Sequence, residues 1–346
     1  MEVFNPNANV PFLKWRKISV GISIVLMILS LGLVATRGLH YALDFTGGVM
    51  VEVAYEEPVA IADVREALTA GGFESAIVQS LGNTRELSIR LPLEAMQEGE
   101  AAAADAAAEP TSAAPTDQEA SPTGEDAASA NESPDELASE VLAALQATRS
   151  DVSVKRHAFI SSQVGDELKS DGLVAALFVI IGIMIYIGIR FEKRFAIAAV
   201  ASEFHDAILT VGFFSLTQID FDLTVLASLL AVIGYSINDK VVVFDRVREL
   251  FRLARKGEPE DILNRAINNT LSRTIITSVF TGITMIALYF FGGPPVHGFA
   301  LTMIVGIVIG TLSSIFFANP ILLWLGVSKK DLMPVTRDNP ELAARP

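Results

Sequence analysis

Cysteine is absent from this chain, which excludes disulfides, thiolate metal sites and cysteine nucleophiles together. Phosphate-binding loops are missing too. Nothing reads G-x-x-x-x-G-K-[ST], so no ATPase motif is expected and nucleotide hydrolysis is disfavoured. The four histidines are scattered and form no tight cluster, so neither a metal nor a cofactor is expected. No basic patch interleaved with aromatics supports nucleic-acid binding. Basic residues are also missing from Glu94 to Glu140, which holds 13 acidic residues and no Lys or Arg. The 40 acidic residues less these 13 leave 27 against 26 basic ones, so the net charge of −14 belongs to one segment.

What is abundant is apolar surface: 51% of residues are hydrophobic and the mean hydropathy is +0.44. That suits a polytopic membrane protein with a soluble part. Six runs are long enough to span as helices: Ile18–Ala35, Leu173–Ile189, Phe195–Leu216, Leu223–Phe244, Thr274–Phe291 and Phe299–Leu325. The first follows Lys14, Arg16 and Lys17. It is too long for a signal-peptide core and lacks a prompt cleavage site, so it reads as an uncleaved span. Lys and Arg gather before the first span, between the second and third, between the fourth and fifth, and after the sixth. The alternate connections, Thr217–Asp222 and Gly292–Gly298, carry none. Both termini are therefore expected inside, with residues 37–172 outside.

The expected organisation is a cytoplasmic N-terminus at 1–17, a first helix at 18–36, an extracytoplasmic domain at 37–172, a five-helix membrane bundle at 173–326 and a cytoplasmic tail at 327–346. An amphipathic cytoplasmic loop is expected at about 246–273. The outer domain reads as strand Val49–Tyr55, a helix from Pro58 to Ala70 stopped by Gly71-Gly72, strands Ala76–Leu81 and Glu86–Leu91 around Gly82-Asn83, helix Asp135–Thr148 with Ser133 as N-cap, and strand Val152–Ile160. This β-α-β-β-α-β order predicts a small ferredoxin-like α+β domain. Residues 95–131 are Ala-, acid-, Pro-, Ser- and Thr-rich and are expected to be a disordered insertion. An exposed spacer is one reading, and a docking tail for a basic partner is the other.

Ionisable residues inside the spans are the candidate functional groups, because charge in hydrocarbon is costly and marks ion or proton paths. Asp239, flanked by Asn238 and Lys240, lies seven residues before Arg246, roughly 10 Å from the cytoplasmic edge at 1.5 Å per residue. Ser228, Tyr235 and Ser236 fall near the same face. Arg273 opens the fifth span, where Thr274, Thr277, Ser278, Thr281 and Thr284 continue a polar stripe. If these spans are neighbours, Arg273 and Asp239 approach as a switchable ion pair; the alternative is an ordinary basic flank. Glu203-Phe-His-Asp206 puts three ionisable groups within one turn of the third span, readable as a proton relay through His205 or as a satisfied contact between helices. Thr302, Gly306, Gly310 and Ser314 recur every four residues, a spacing that permits close helix packing.

Together these residues resemble the SecF family of the SecDF protein-export complex. The resemblance rests on Asp44-Phe-Thr-Gly-Gly48, the one-plus-five layout, His205-Asp206, Val232-Ile-Gly-Tyr-Ser-Ile-Asn-Asp239, Val241 to Glu249 and Asn268 to Ser278. It implies a resistance-nodulation-division type of membrane fold in the bacterial plasma (inner) membrane. It also implies a translocase subunit, and no enzyme, that with SecD uses the proton-motive force to move preproteins through SecYEG. Implied partners are SecD, SecYEG, the translocating preprotein and membrane lipid, with YajC and YidC beyond them. The implied proton-coupling set is Asp239 with Arg273 as its basic companion, Asn238, Asp206 and His205. Lys240, Glu203 and Asp245 are expected modulators, and Asp44, Gly47 and Gly48 a structural motif. Lys240 departs from the small Ser or Thr usual in the family, which raises the question of whether it pairs with Asp239. Two other functions remain open: a half-unit of a small-molecule exporter, or a passive subunit that holds SecD.

Overall fold

The computed structural model describes residues 10–80, 85–92, 134–254 and 257–328. The expected insertion at 95–131, the Gly82-Asn83 turn, the Ser133 cap and most of the C-terminal tail lie outside the described residues. The chain divides into two compact units, Met1–His40 with Leu173–Pro346, and Tyr41–Gly172.

The smaller unit is the expected α+β fold. Strands β1 (Gly48–Tyr55), β2 (Ile77–Ser80), β3 (Glu86–Pro92) and β4 (Val152–Ile160) form one antiparallel sheet in the order β2-β3-β1-β4. Alternation along β1 sends Val49, Val51 and Val53 inward. They pack with Leu87, Ile89 and Leu91 of β3 against Leu68 from one helix (Ile61–Ala70) and Val141 and Leu145 from the other (Pro134–Gln146). Burying each such side chain contributes about 1.5–3 kcal/mol. The first of these helices begins at Ile61 rather than Pro58. Ala60 is still extended at ψ 136°, and the first turn closes on its carbonyl through the Asp63 and Val64 N–H groups.

The double glycine makes the entry to this sheet. A single helical turn, Leu43–Thr46, ends at Gly47 with φ 71°, and Gly48 follows at φ 138°. Both values belong to glycine. A Cβ on Gly48 would also collide with the Leu91 carbonyl across the sheet.

Among the described residues the larger unit holds the expected six apolar helices, the second of them from Leu173 onward. They run Phe12–Arg37, Gln163–Arg190, Lys193–Thr217, Leu223–Leu253, Pro259–Phe291 and Pro295–Trp324, and each is long and apolar enough to cross a membrane. The third, fourth and sixth form the centre and are about half buried, whereas the other three bury little of their apolar surface. Small residues on the sixth let it lie close to the fourth. A Cβ on Gly306 would collide with Val232, and one on Gly310 would come 2.6 Å from Ser236 Oγ. The small-residue stripe thus packs as its spacing indicates.

Residues 246–273 differ from the expected loop. The fourth helix continues to Leu253 and the fifth begins at Pro259. Apolar residues on the two extensions explain this: Val247 and Phe251 pack with Ile262, Leu263, Ala266 and Ile267 in one core. Hydropathy marks where the bilayer ends, whereas these contacts carry the helices beyond it. The sixth span contains a π-turn at Ser314–Ala318, just before Pro320. Proline lacks an N–H and its ring crowds the carbonyl four residues back. That carbonyl, on Phe316, instead accepts a bond from Ser19 Oγ at 2.9 Å.

Candidate functional site

The third and fourth spans put their ionisable residues into two separate places. One is a closed cluster. Glu203 and Asp206 are three apart on the third span, and Ser236 and Lys240 four apart on the fourth, so each pair stands on one helix face. The Lys240 ammonium donates to Glu203 Oε1 at 2.7 Å, Asp206 Oδ2 at 2.8 Å and Ser236 Oγ at 3.0 Å. All three of its donors are used, and the side chain is fully buried. Asp206 also accepts from Ser236 Oγ and from Ser313 Oγ of the sixth span, and bonds His205 Nδ1 at 2.8 Å. The π-turn brings Phe317 against the His205 ring, with centroids 4.2 Å apart.

The open question of Lys240 is answered by these bonds: its partners are Glu203 and Asp206, not Asp239. Lys240 reaches back toward the helix N-terminus, as helical side chains do, and bonds Ser236 one turn earlier and the third span. Adjacent residues on a helix point about 100° apart, so Asp239 faces elsewhere. Its side chain is buried, with the residue 4% exposed. Among the described residues its carboxylate makes no hydrogen bond or ion pair. The charges acting on it are those of Arg273 first and Lys240 second. Arg273 itself stands exposed on the fifth span, and Asn238 is exposed on the fourth. The fifth span's hydroxyls face in several directions. Ser278 bonds Thr311 of the sixth at 2.7 Å, and Tyr235 reaches Thr281 at 3.5 Å. Thr277 and Thr284 satisfy carbonyls of their own helix.

Asp245 lies at the end of the bundle and pairs with Arg190 and Arg248. Arg248 also reaches Glu192, and Arg16 pairs with Glu260 at 2.7 Å. Asp44, Gly47 and Gly48 belong to the other unit. Sequence reasoning did not pick out Ser313, Ser202 or Phe317. Ser202 lies 3.5 Å from Ser313 and closes the hydroxyl side of the cluster. The i, i+4 step from Ser236 to Lys240, set beside the i, i+3 step from Glu203 to Asp206, was the available signal for the cluster.

Residues 140–328 match the C-terminal region of protein export membrane protein SecD/SecF, and residues 32–59 match the SecD/SecF GG motif. Over 334 residues the chain is 39% identical to the protein translocase subunit SecF of Vibrio alginolyticus, covering 96% of this chain and 95% of the relative. The chain belongs to the SecF family. The SecF of Pseudomonas aeruginosa is 38% identical over 325 residues, covering 93% of this chain and 94% of that one. The crystal structure of SecDF from Thermus thermophilus, a translocon-associated membrane protein, superposes with a TM-score of 0.72 at 28% identity. It covers 93% of this chain but 39% of that longer one. A SecDF crystal structure in the super-membrane-facing form gives 0.63 at 30% identity, covering 94% and 39%. This is accordingly a multi-pass membrane protein and a protein translocase subunit by family.

Proposed function

We propose that this chain works with SecD to use the proton-motive force in moving preproteins through SecYEG, and that Asp239 is its coupling carboxylate. The observation that carries the reading is the contrast between two buried acids. Asp206 is bound by four side chains, whereas Asp239 has no direct partner among the described residues and lies in the field of Arg273. A carboxylate held by many partners is fixed. One held only through space can take up and release a proton as neighbouring helices move, with Arg273 as its changing counter-charge. Asp206, His205 and Lys240 hold the bundle around it, and Asp245 fastens its charged end.

SecD is the proposed cover for the exposed Asn238 and Arg273. Polar groups on a membrane helix are buried in protein or line a wet cavity rather than face lipid. In the proposed orientation both termini face the cytoplasm of a bacterium and the Tyr41–Gly172 unit lies across the inner membrane. The ion pairs Arg190–Asp245, Arg248–Glu192 and Arg16–Glu260 gather basic residues at one end of the bundle, which supports that orientation. YajC and YidC are proposed as further companions.

The test is preprotein export by the SecD-bound complex with and without a proton gradient. Asp239→Asn should export only at the gradient-free level while remaining assembled. Full gradient stimulation in that variant would leave a passive role in holding SecD as the better reading.

A further inference from the structure

Among the described residues, two buried atoms of the closed cluster make no hydrogen bond, Glu203 Oε2 and His205 Nε2. Glu203 is 7% exposed; its Oε1 accepts from Lys240, and its Oε2 is buried with no hydrogen bond. The same side chain lines an open crevice between the second, third and fourth spans. The rest of the wall is apolar and includes Ile183, Met184, Val200, Phe204, Ala207 and Ile233.

The charges around Glu203 do not balance. From its own span it meets Asp206, to which His205 is bonded, and from the fourth span Lys240. The second span contributes only apolar side chains to the crevice, and the sixth contributes the Ser313 hydroxyl through Asp206. Two carboxylates thus share one ammonium. Asp206 has enough donors around it to remain an anion, and those donors leave Glu203 as the odd charge. An unneutralised carboxylate beside an apolar wall in a membrane span is costly, and a proton removes that cost.

We propose that Glu203 is a second protonation site of the bundle, separate from Asp239, holding its proton on the unbonded Oε2 and reached by lipophilic reagents through this crevice from the membrane side. The inference does not depend on Asp239 being the coupling carboxylate.

A lipophilic carbodiimide probes both halves of the proposal, because it dissolves in the bilayer and reacts with the neutral acid. The acid oxygen bonds to the central carbon of the carbodiimide, and the acid proton moves to a carbodiimide nitrogen. The adduct then shifts from oxygen to nitrogen with no group leaving. The full-length chain, held with SecD in lipid nanodiscs, would be treated with dicyclohexylcarbodiimide across a pH series and its peptides read by mass spectrometry. The expected result is an adduct on Glu203 and none on Asp206. It should decline as pH rises, be lost in Glu203→Gln, be reduced when Ala207→Phe fills the crevice, and be unchanged in Asp239→Asn. A water-soluble carbodiimide should leave Glu203 unlabelled. If Glu203 stays unlabelled at every pH while a carboxylic acid added to the same nanodiscs reacts, the surplus proton is not there and His205 becomes its holder. Equal labelling by the water-soluble reagent would overturn the membrane-side approach, and loss of the adduct in Asp239→Asn would overturn the separation of the two sites. The wild-type comparison of the two reagents stands even if Ala207→Phe fails to fold.

Discussion

Lys240 Nζ lies 2.8 Å from Asp206 Oδ2, an ion pair that joins the fourth span to the third with both side chains wholly buried. Because Lys240 is committed to that pair and to Glu203, it does not bond its neighbour Asp239.

Removing the ammonium should be expensive. Breaking a buried pair by deleting one partner costs about 3–5 kcal/mol, because it leaves uncompensated charge. Lys240→Met should lower the unfolding midpoint of the detergent-solubilised chain accordingly. Adding Glu203→Gln and Asp206→Asn should recover most of the loss. Thermal unfolding of the single and triple variants checks this, and equal midpoints for wild type and Lys240→Met would contradict it.

The contact between the fourth and sixth spans depends on Gly306. Gly306→Ala forces a methyl into Val232 and should cost about 1–3 kcal/mol as overpacking. Gly21→Ala, where an added Cβ meets nothing within 4 Å, should be neutral or gain up to about 1 kcal/mol of helix preference. Folded yield and thermal midpoint of the two variants would separate the cases.

The smaller unit has its own alkaline limit. Burial holds the Tyr55 phenol protonated and pushes its pKa from 10.0 up to about 12, against the nearby Arg149, which pulls it down. The folded chain therefore binds more protons than the unfolded chain between these values, so stability falls as pH rises through that window. Difference absorbance between wild type and Tyr55→Phe should show the Tyr55 phenolate appearing near pH 12. At the acid end Asp151 adds a contribution, since the hydrogen bond and charge of Arg149 hold it below its usual range. That contribution is present above the ordinary carboxylate pKa and is lost as pH falls below it.

The absence of cysteine makes the proposed SecD contact directly measurable. Asn238→Cys should cross-link to cysteines placed along the membrane helices of SecD, since Asn238 is exposed on the fourth span. Ser202→Cys should not, because Ser202 is fully buried between helices. Cross-links from Ser202→Cys alone would put the partner on the wrong face.

The spans and the small sheet were legible because their signals are local. Apolar length gives a span, and alternating β-branched residues give β1 and β4. Helix ends past the bilayer were less legible: Phe251 and Ile262 stabilise them through contact with each other, which neither stretch reveals alone. The same limit applied to the cluster. Glu203, Asp206, Asp239 and Lys240 could be read as charged groups in spans, but which acid Lys240 meets depends on helix rotation and packing. Asp239 is its sequence neighbour, while Glu203 lies 37 residues away and is its bonding partner. The π-turn that delivers Phe317 to His205 followed from Pro320, a residue with a local rule whose consequence lies on another helix.

Proton flux tests the central claim most directly. Proteoliposomes holding the SecD-bound complex, an imposed pH gradient and a translocating preprotein should show inward proton movement with wild type. Asp239→Asn should abolish it, whereas Asp239→Glu should retain a measurable part. Undiminished flux through an assembled Asp239→Asn complex would contradict the account.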